Sequence, residues 1–288
     1  MKFKDCFLLD DLVIFGGLHR GGYATTAFEV VPQEITNASI DTVNRFGKDL
    51  SLFLSSIKDP FRIQLKWGVT SDYSDMLEFY DSETERLKDN ASEFSYLTRK
   101  EIYNRYQEYM HEGFLRRQRL IIFASVKIKT QFSEKEIKSS PRRKEITRNI
   151  LGSLASQFSA FEERMRYTFG SSSTLDRTPP DFLKVLFYKF FNRASQLYSK
   201  EEIIRQYDDT SSVLYSCART DYTGLNRSIE ENYSLVGDNL YQDIIFVSKF
   251  PSNFTVLHSH FLTSLSELDY EITVNILPID TKKKIREE

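Results

Sequence analysis

The segment nearest to a chemical motif is Gly16-Gly17-Leu18-His19-Arg20-Gly21-Gly22. Gly16 and Gly21 are separated by four residues, as in the phosphate loop GxxxxGK[ST], where backbone N–H groups cradle phosphates, a lysine reaches the outer ones and a hydroxyl holds magnesium. Gly22 and Tyr23 stand where the lysine and the hydroxyl residue belong. The cation and the metal ligand are both missing, and Tyr23 to Val31 reads as a strand rather than the helix that follows a phosphate loop. The expectation is a flexible hairpin in which glycine permits positive φ.

Histidine and cysteine offer no better start. His258 and His260 form a His-x-His pair, but helical residues two apart point about 200° away from each other and cannot share an ion. His258 shares a stripe with Phe254, Phe261 and Leu265, which reads as a histidine at the edge of a core. His19 and His111 have no cysteine or second histidine at ligand spacing, and neither GxSxG nor HExxH occurs. The sequence therefore predicts no catalytic residue, no cofactor and no metal. Cys6 and Cys217 lie too far apart for a disulfide framework and are expected as buried thiols, as suits a reducing compartment.

Residues suited to recognition are more abundant. Arg116, Arg117 and Arg119, with Arg142, Arg143 and Lys144, are the densest cations and form a candidate basic patch if the fold joins them. Such clusters are usually solvated faces, and a net charge of -2 gives no global field toward nucleic acid. Nucleic acid is not the expected partner. The helix expected from Thr178 carries aromatics on more than one stripe, making Phe187, Tyr188 and Phe191 candidate anchors for a protein partner.

The elements that must position these residues follow from periodicity. Two strands, Phe3 to Phe15 and Tyr23 to Val31, flank the glycine turn. Val43, Phe46, Leu50, Phe53, Leu54 and Ile57 mark an amphipathic helix, with Asn37 or Ser39 as cap and Asp41 in its first turn. Phe61, Ile63, Leu65, Trp67 and Val69 alternate with polar residues or glycine as a half-buried strand does. Asp72 to Gln118 is charged and rich in tyrosine, one broken helix or two, and leads into an apolar strand from Leu120 to Ile128. Ile146, Ile150, Leu151, Leu154, Phe158, Phe161 and Met165 predict a long helix stopping near Gly170, and Thr178, Pro179 and Asp181 announce the next. Further on come a strand at Ile244 to Val247, a helix from Phe254 to about Leu268 and a strand through Tyr270, Ile272, Val274 and Ile276.

The fold class expected is α+β: two lobes of mixed, largely antiparallel sheet packed with amphipathic helices. The polar, proline-bearing stretch 132–144 is the expected linker between a lobe at 1–131 and another at 145–288. The N-terminus lacks the apolar core of a signal peptide, and Leu120 to Val126 is too short to span a bilayer.

Near its end the sequence becomes recognisable in Asn239-Leu240-Tyr241-Gln242-Asp243-Ile244-Ile245-Phe246-Val247, Pro251, and Tyr270-Glu271-Ile272-Thr273-Val274-Asn275-Ile276-Leu277-Pro278-Ile279-Asp280. This resembles the N-terminal region of the type IV secretion and conjugation ATPases of the VirB and TraC/TraG kind, in which a tyrosine-led strand, a helix and a final strand precede the motor. Phe28-Glu29-Val30-Val31 and Phe114-Leu115-Arg116-Arg117-Gln118-Arg119 running into Leu120-Ile121-Ile122-Phe123 look like earlier parts of the same region. The resemblance implies a module that docks to inner-membrane and cytoplasmic components of a secretion channel and self-associates, cytoplasmic and held peripherally at the inner membrane by protein partners. The sequence ends at Glu288, where the motor would start, and contains neither Walker motif, so no catalytic residue of that family is carried onto it and the expectation is a non-enzymatic docking module. The alternative is a nucleic-acid-binding accessory protein that uses the basic clusters.

Overall fold

The structure is a computed structural model that describes residues 7–9, 11–32, 39–57, 60–130, 135, 137, 140–169, 173–191, 226–227, 234–236, 240–242 and 270–276. The expected strand at 244–247, the helix at 254–268 with its two histidines, and both cysteines lie outside these residues.

The fold is α+β, with an antiparallel sheet at its centre. The first apolar run forms two strands rather than one, β1 (Phe7–Leu9) and β2 (Leu12–Phe15), paired so that Leu9 faces Leu12. The aspartates between them favour a turn. Asp11 uses its position twice, accepting from the Thr26 hydroxyl at its carbonyl and pairing its carboxylate with Arg177. A glycine loop containing a 3₁₀ turn (Leu18–Arg20) then returns the chain as β3 (Tyr23–Pro32), with Phe15 opposite Tyr23. The expected hairpin is thus present. Gly16, Gly17 and Gly21 hold φ near +77°, +82° and +69°. At Gly22 the constraint is contact, since a Cβ there would lie 2.0 Å from the Phe15 carbonyl oxygen.

Helix α1 (Ile40–Ser56) begins at Ser39, whose hydroxyl accepts from the Thr42 N–H, and it is followed by β4 (Phe61–Thr70). Two helices, α2 (Ser74–Leu87) and α3 (Glu93–His111), lead to β5 (Arg117–Lys127). That strand starts three residues before the expected Leu120 because Arg117, Gln118 and Arg119 continue the ladder opposite Thr70, Val69 and Gly68. Beyond the polar stretch come α4 (Arg143–Phe169), β6 (Ser173–Arg177) and α5 (Pro180–Phe191). Helix α5 starts one residue later than its signals predict. The Thr178 N–H is still bonded to the Ala27 carbonyl, so Pro179 takes the cap position, accepting from Leu183, while the buried Thr178 hydroxyl has no hydrogen-bond partner among the described residues. The short strands β7 (Asn226–Arg227), β8 (Ser234–Val236) and β9 (Leu240–Gln242) pair among themselves, and β10 (Tyr270–Ile276) completes the described elements.

The main sheet runs β1-β2-β3-β5-β4-β10, with β6 pairing the outer end of β3 beyond β2. The expected division at 132–144 does not separate two cores. Strand β6 is bonded to β3, β10 is bonded to β4 from Tyr270 opposite Val69 to Ile276 opposite Ile63, and α4 packs under the same sheet. One face, through Ile14, Phe28, Ile63, Ile122 and Val126, meets Phe53 of α1 and Leu154, Phe158, Phe161 and Met165 of α4. The other, through Val13, Ala27 and Ile121, meets Leu183 of α5. Side chains alternate across a strand, so β3 and β5 are apolar on both faces while β4 keeps Arg62, Gln64 and Lys66 away from α4. Lys66 pairs with Glu271 at 2.9 Å and Gln64 donates to Asn275 at 2.9 Å, fixing the register of β10.

Phe161 is the centre of the core. Its ring stacks on Phe61 at 4.9 Å and touches Phe28 and Phe53, each at 5.9 Å. Phe161→Ala is expected to cost about 3–5 kcal/mol, read as a lower urea midpoint. Gly22→Ala is expected to cost at least about 2 kcal/mol in the same measurement, because the added carbon meets backbone rather than a movable side chain.

Candidate interaction surface

Strands β4 and β5 are adjacent and antiparallel, with Thr70 directly opposite Arg117. A tight turn could join them, yet the chain leaves the sheet at Thr70 and builds α2 and α3 before it returns. Local signals explain both helices. The Asp72 carboxylate accepts from the Ser74 N–H and hydroxyl ahead of α2, and the Ser92 hydroxyl accepts from the Ser95 N–H at the start of α3. Helix α3 is closed just past its end by Gly113, with φ near +72°, where the Phe114 N–H reaches back to the Tyr109 carbonyl.

The two helices face each other with mostly polar side chains. Lys100 bridges Asp81 at 2.7 Å and Glu85 at 2.5 Å, and Arg99 donates to Thr84 while lying over the Tyr80 ring at 4.6 Å. The Tyr96 hydroxyl donates to Glu85. Hydrogen bonds donated by Lys100 to Asp81 and Glu85 push the Lys100 pKa well above its usual value, and those that Glu85 accepts from Lys100 and Tyr96 hold its carboxyl below its own. Among the side chains of α2 only Leu77 and Thr84 are buried, and among those of α3 none is.

The apolar side chains point outward. Met76, Phe79 and Leu87 on α2 and Phe94, Leu97, Ile102, Tyr106 and Tyr109 on α3 are exposed, Phe79 at 68% and Phe94 at 80%, and Phe114 just beyond is 73% exposed. At about 100° per residue, with Tyr80, Asp81 and Thr84 turned to α3 and Arg99, Lys100 and Tyr103 turned to α2, Met76 and Phe79 fall on the same side of the hairpin as Ile102, Tyr106 and Tyr109. Scattered exposed apolar residues are ordinary, whereas a contiguous set on a projecting element marks an interaction surface. The sequence reading passed over this set because charges are threaded through it at Glu83, Arg86, Glu101 and Arg105. The spacing of Met76, Phe79 and Leu87 was the available signal.

The candidate basic patch is divided. Arg117 is bound to Asp75 at 2.5 Å, and Arg119 is bound to Glu29 at 2.9 Å with its guanidinium 4.6 Å from the centre of the Phe182 ring. The Arg116 carbonyl accepts from the Tyr73 hydroxyl. These arginines fasten α2, α5 and β3 to β5. Exposed Arg142, Arg143 and Lys144 sit at the start of α4, where Thr147 approaches His19 of the glycine loop, and Gly22 of that loop accepts from Ile128 at the far end of β5. A strand rising about 3.3 Å per residue separates the two groups by roughly 33 Å. Of the aromatic candidates on α5, Tyr188 is buried, at 8% exposure, and is no exposed anchor; the side chains of Phe187 and Phe191 lie outside the described residues.

Among the described residues no group of three or more histidine, cysteine, aspartate and glutamate side chains could hold a metal, and no helix is long and apolar enough to cross a membrane. A cleft of about 220 Å³ between Lys127, Lys129 and α4 is lined by Pro60, Ile150, Ser153, Leu154 and Gln157, with no carboxylate, imidazole or thiol. No protein-family model and no curated protein sequence matches the chain.

The root of the hairpin is sensitive to acid. Burial acts to raise the Asp75 pKa, but the hydrogen bond and charge of Arg117, helped by Arg119, bring it below the usual 3.8. Because the folded value lies under the unfolded one, this stabilisation is present above the unfolded value and lost as pH falls through the folded one. Amide exchange in α2 and α3 is expected to stay slow above about pH 4 and to accelerate below it. Asp75→Asn is expected to remove that dependence and to raise exchange there roughly five-fold at neutral pH, equivalent to ~1 kcal/mol.

Proposed function

We propose that the chain is a protein-docking and assembly module without catalytic activity, and that α2 and α3 form its docking element. The observation that carries this reading is the hairpin's polar interior and apolar exterior. A helix pair that owed its stability to its own packing would bury Phe79, Tyr106 and their neighbours instead of exposing them. Exposed aromatic anchors on a projecting element are what a partner groove or helix takes up.

The sequence resemblance to the N-terminal region of type IV secretion and conjugation ATPases supplies the setting. The partners are inner-membrane and cytoplasmic components of such a channel, self-association is a second use of the surface, and the module sits peripherally at the inner membrane through those proteins. The resemblance and the exposed aromatics support this reading together. The nucleic-acid alternative draws on fewer groups than the sequence offered it, since Arg117 and Arg119 are engaged and lie far from Arg142, Arg143 and Lys144.

Phe79→Ser with Tyr106→Ser is expected to leave the fold intact, because both side chains are exposed. The pair should weaken binding to the cytoplasmic parts of inner-membrane channel proteins from the same genome by about ten-fold or more in Kd. Unchanged binding by the folded double variant refutes the docking element.

A further inference from the structure

Unpaired charge of opposite sign collects at the two ends of β5. At about 100° per residue, Glu93 and Glu108 fall on the flank of α3 that carries Lys100, and Asp89 follows α2 on the flank that carries Asp81 and Glu85. This flank lies opposite Phe79, Tyr106 and Tyr109. On it Asp81 and Glu85 share Lys100, and Lys88 lies over the Tyr96 ring. Asp89, Glu93 and Glu108 are exposed and make no ion pair among the described residues, so the flank is acidic. The other end of β5 is basic. Arg142, Arg143, Lys144 and Arg148 are exposed and likewise make no ion pair among the described residues. Lys144 and Arg148, four apart, are neighbours on α4. The hydroxyl of Thr147 lies 3.4 Å from the His19 ring and sets the glycine loop, with exposed Arg20, against the same turn. Glu145 is the only carboxylate among the described residues between 135 and 149, and it pairs with none of these cations. One molecule cannot join the two patches, because the length of β5 holds them roughly 33 Å apart.

We infer that copies of this chain associate head to tail, the acidic flank of α2 and α3 in one copy resting against the basic start of α4 and the glycine loop of the next. The contact goes beyond the docking reading and does not use its apolar face, so Phe79 and Tyr106 remain open to a partner while copies are joined. A two-fold pairing of either patch with itself would set like charges together, whereas a head-to-tail contact matches them and repeats as a ring or an open row. Complementary charge fixes the orientation of the copies. Each exposed ion pair contributes little, so the association is weak and sensitive to salt.

Sedimentation velocity on the full chain tests this. Association is expected at about 50 mM salt and should weaken about ten-fold or more at about 300 mM. Two charge-reversed variants, Arg143→Glu with Arg148→Glu and Glu93→Lys with Glu108→Lys, should each be monomeric alone, because each then carries two patches of one sign. Their equimolar mixture should associate again, since every reversed patch meets a complementary one, and this recovery shows that both variants fold. Phe79→Ser with Tyr106→Ser should leave the association unchanged, so that failure here and failure of the docking face are read separately. A chain that stays monomeric at low salt up to about 0.5 mM protein overturns the inference. So do reversed variants that associate as the unaltered chain does, or a mixture that fails to recover. Loss of association in the serine pair alone moves the contact to the apolar face and overturns it too. Tighter binding of an oligothymidylate than of a second copy, lost with Arg143→Glu and Arg148→Glu, overturns it in favour of nucleic acid.

Discussion

Phe161 sits where the three elements around it cannot close without it. Phe61 stacks on it from β4, Phe28 reaches it from β3 and Phe53 from α1, while Phe158 one turn earlier meets Phe61 edge-on at 6.0 Å. Without α4 the central strands would leave Ile63, Ile122 and Val126 open to water on that face. Burying an aromatic ring of this kind is worth a few kcal/mol at about 25 cal/mol per Å². The contact joins distant parts of the chain, so loop closure has to occur before it contributes.

The opposite face is closed by charge as well as by apolar contact. Arg119 lies between Glu29 of β3 and the Phe182 ring of α5, and Arg117 holds Asp75 at the first turn of α2. A half-buried guanidinium needs a carboxylate, because leaving either group alone costs its desolvation. Burial opposes the charge on Arg117, and the hydrogen bond and charge of Asp75 outweigh it, so the arginine stays protonated. Side chains whose types suggest phosphate contact thereby become fasteners of the fold.

The hairpin inverts the usual arrangement of a helix pair. Its inner contacts are ion pairs and ring–cation contacts around Lys100 and Arg99, each worth roughly 0–1 kcal/mol where solvent reaches them. Its cohesion depends on the root, through Asp75 with Arg117 and the Tyr73 hydroxyl on the Arg116 carbonyl. Apolar area that a free-standing helix pair would bury remains outside, available to another protein.

The sequence by itself determined the elements whose signals are local. Alternation located β4 and β10, the stripe from Ile146 to Met165 located α4, Ser39 began α1, and the glycine loop gave a hairpin. Periodicity reports which face of an element is buried, and says nothing of what buries it. Tertiary structure alone decided that α4, β6 and β10 join the first strands in one sheet and core, that the six basic residues split between opposite ends of β5, and that Tyr188 turns inward. It also decided the role of the hairpin. Tyrosines and charges alternate along 72–118 in a pattern that fits either a solvated helix or a docking face, and only the pairing of Lys100 with Asp81 and Glu85 across the helices set those charges inward and left Phe79, Phe94, Tyr106 and Tyr109 exposed.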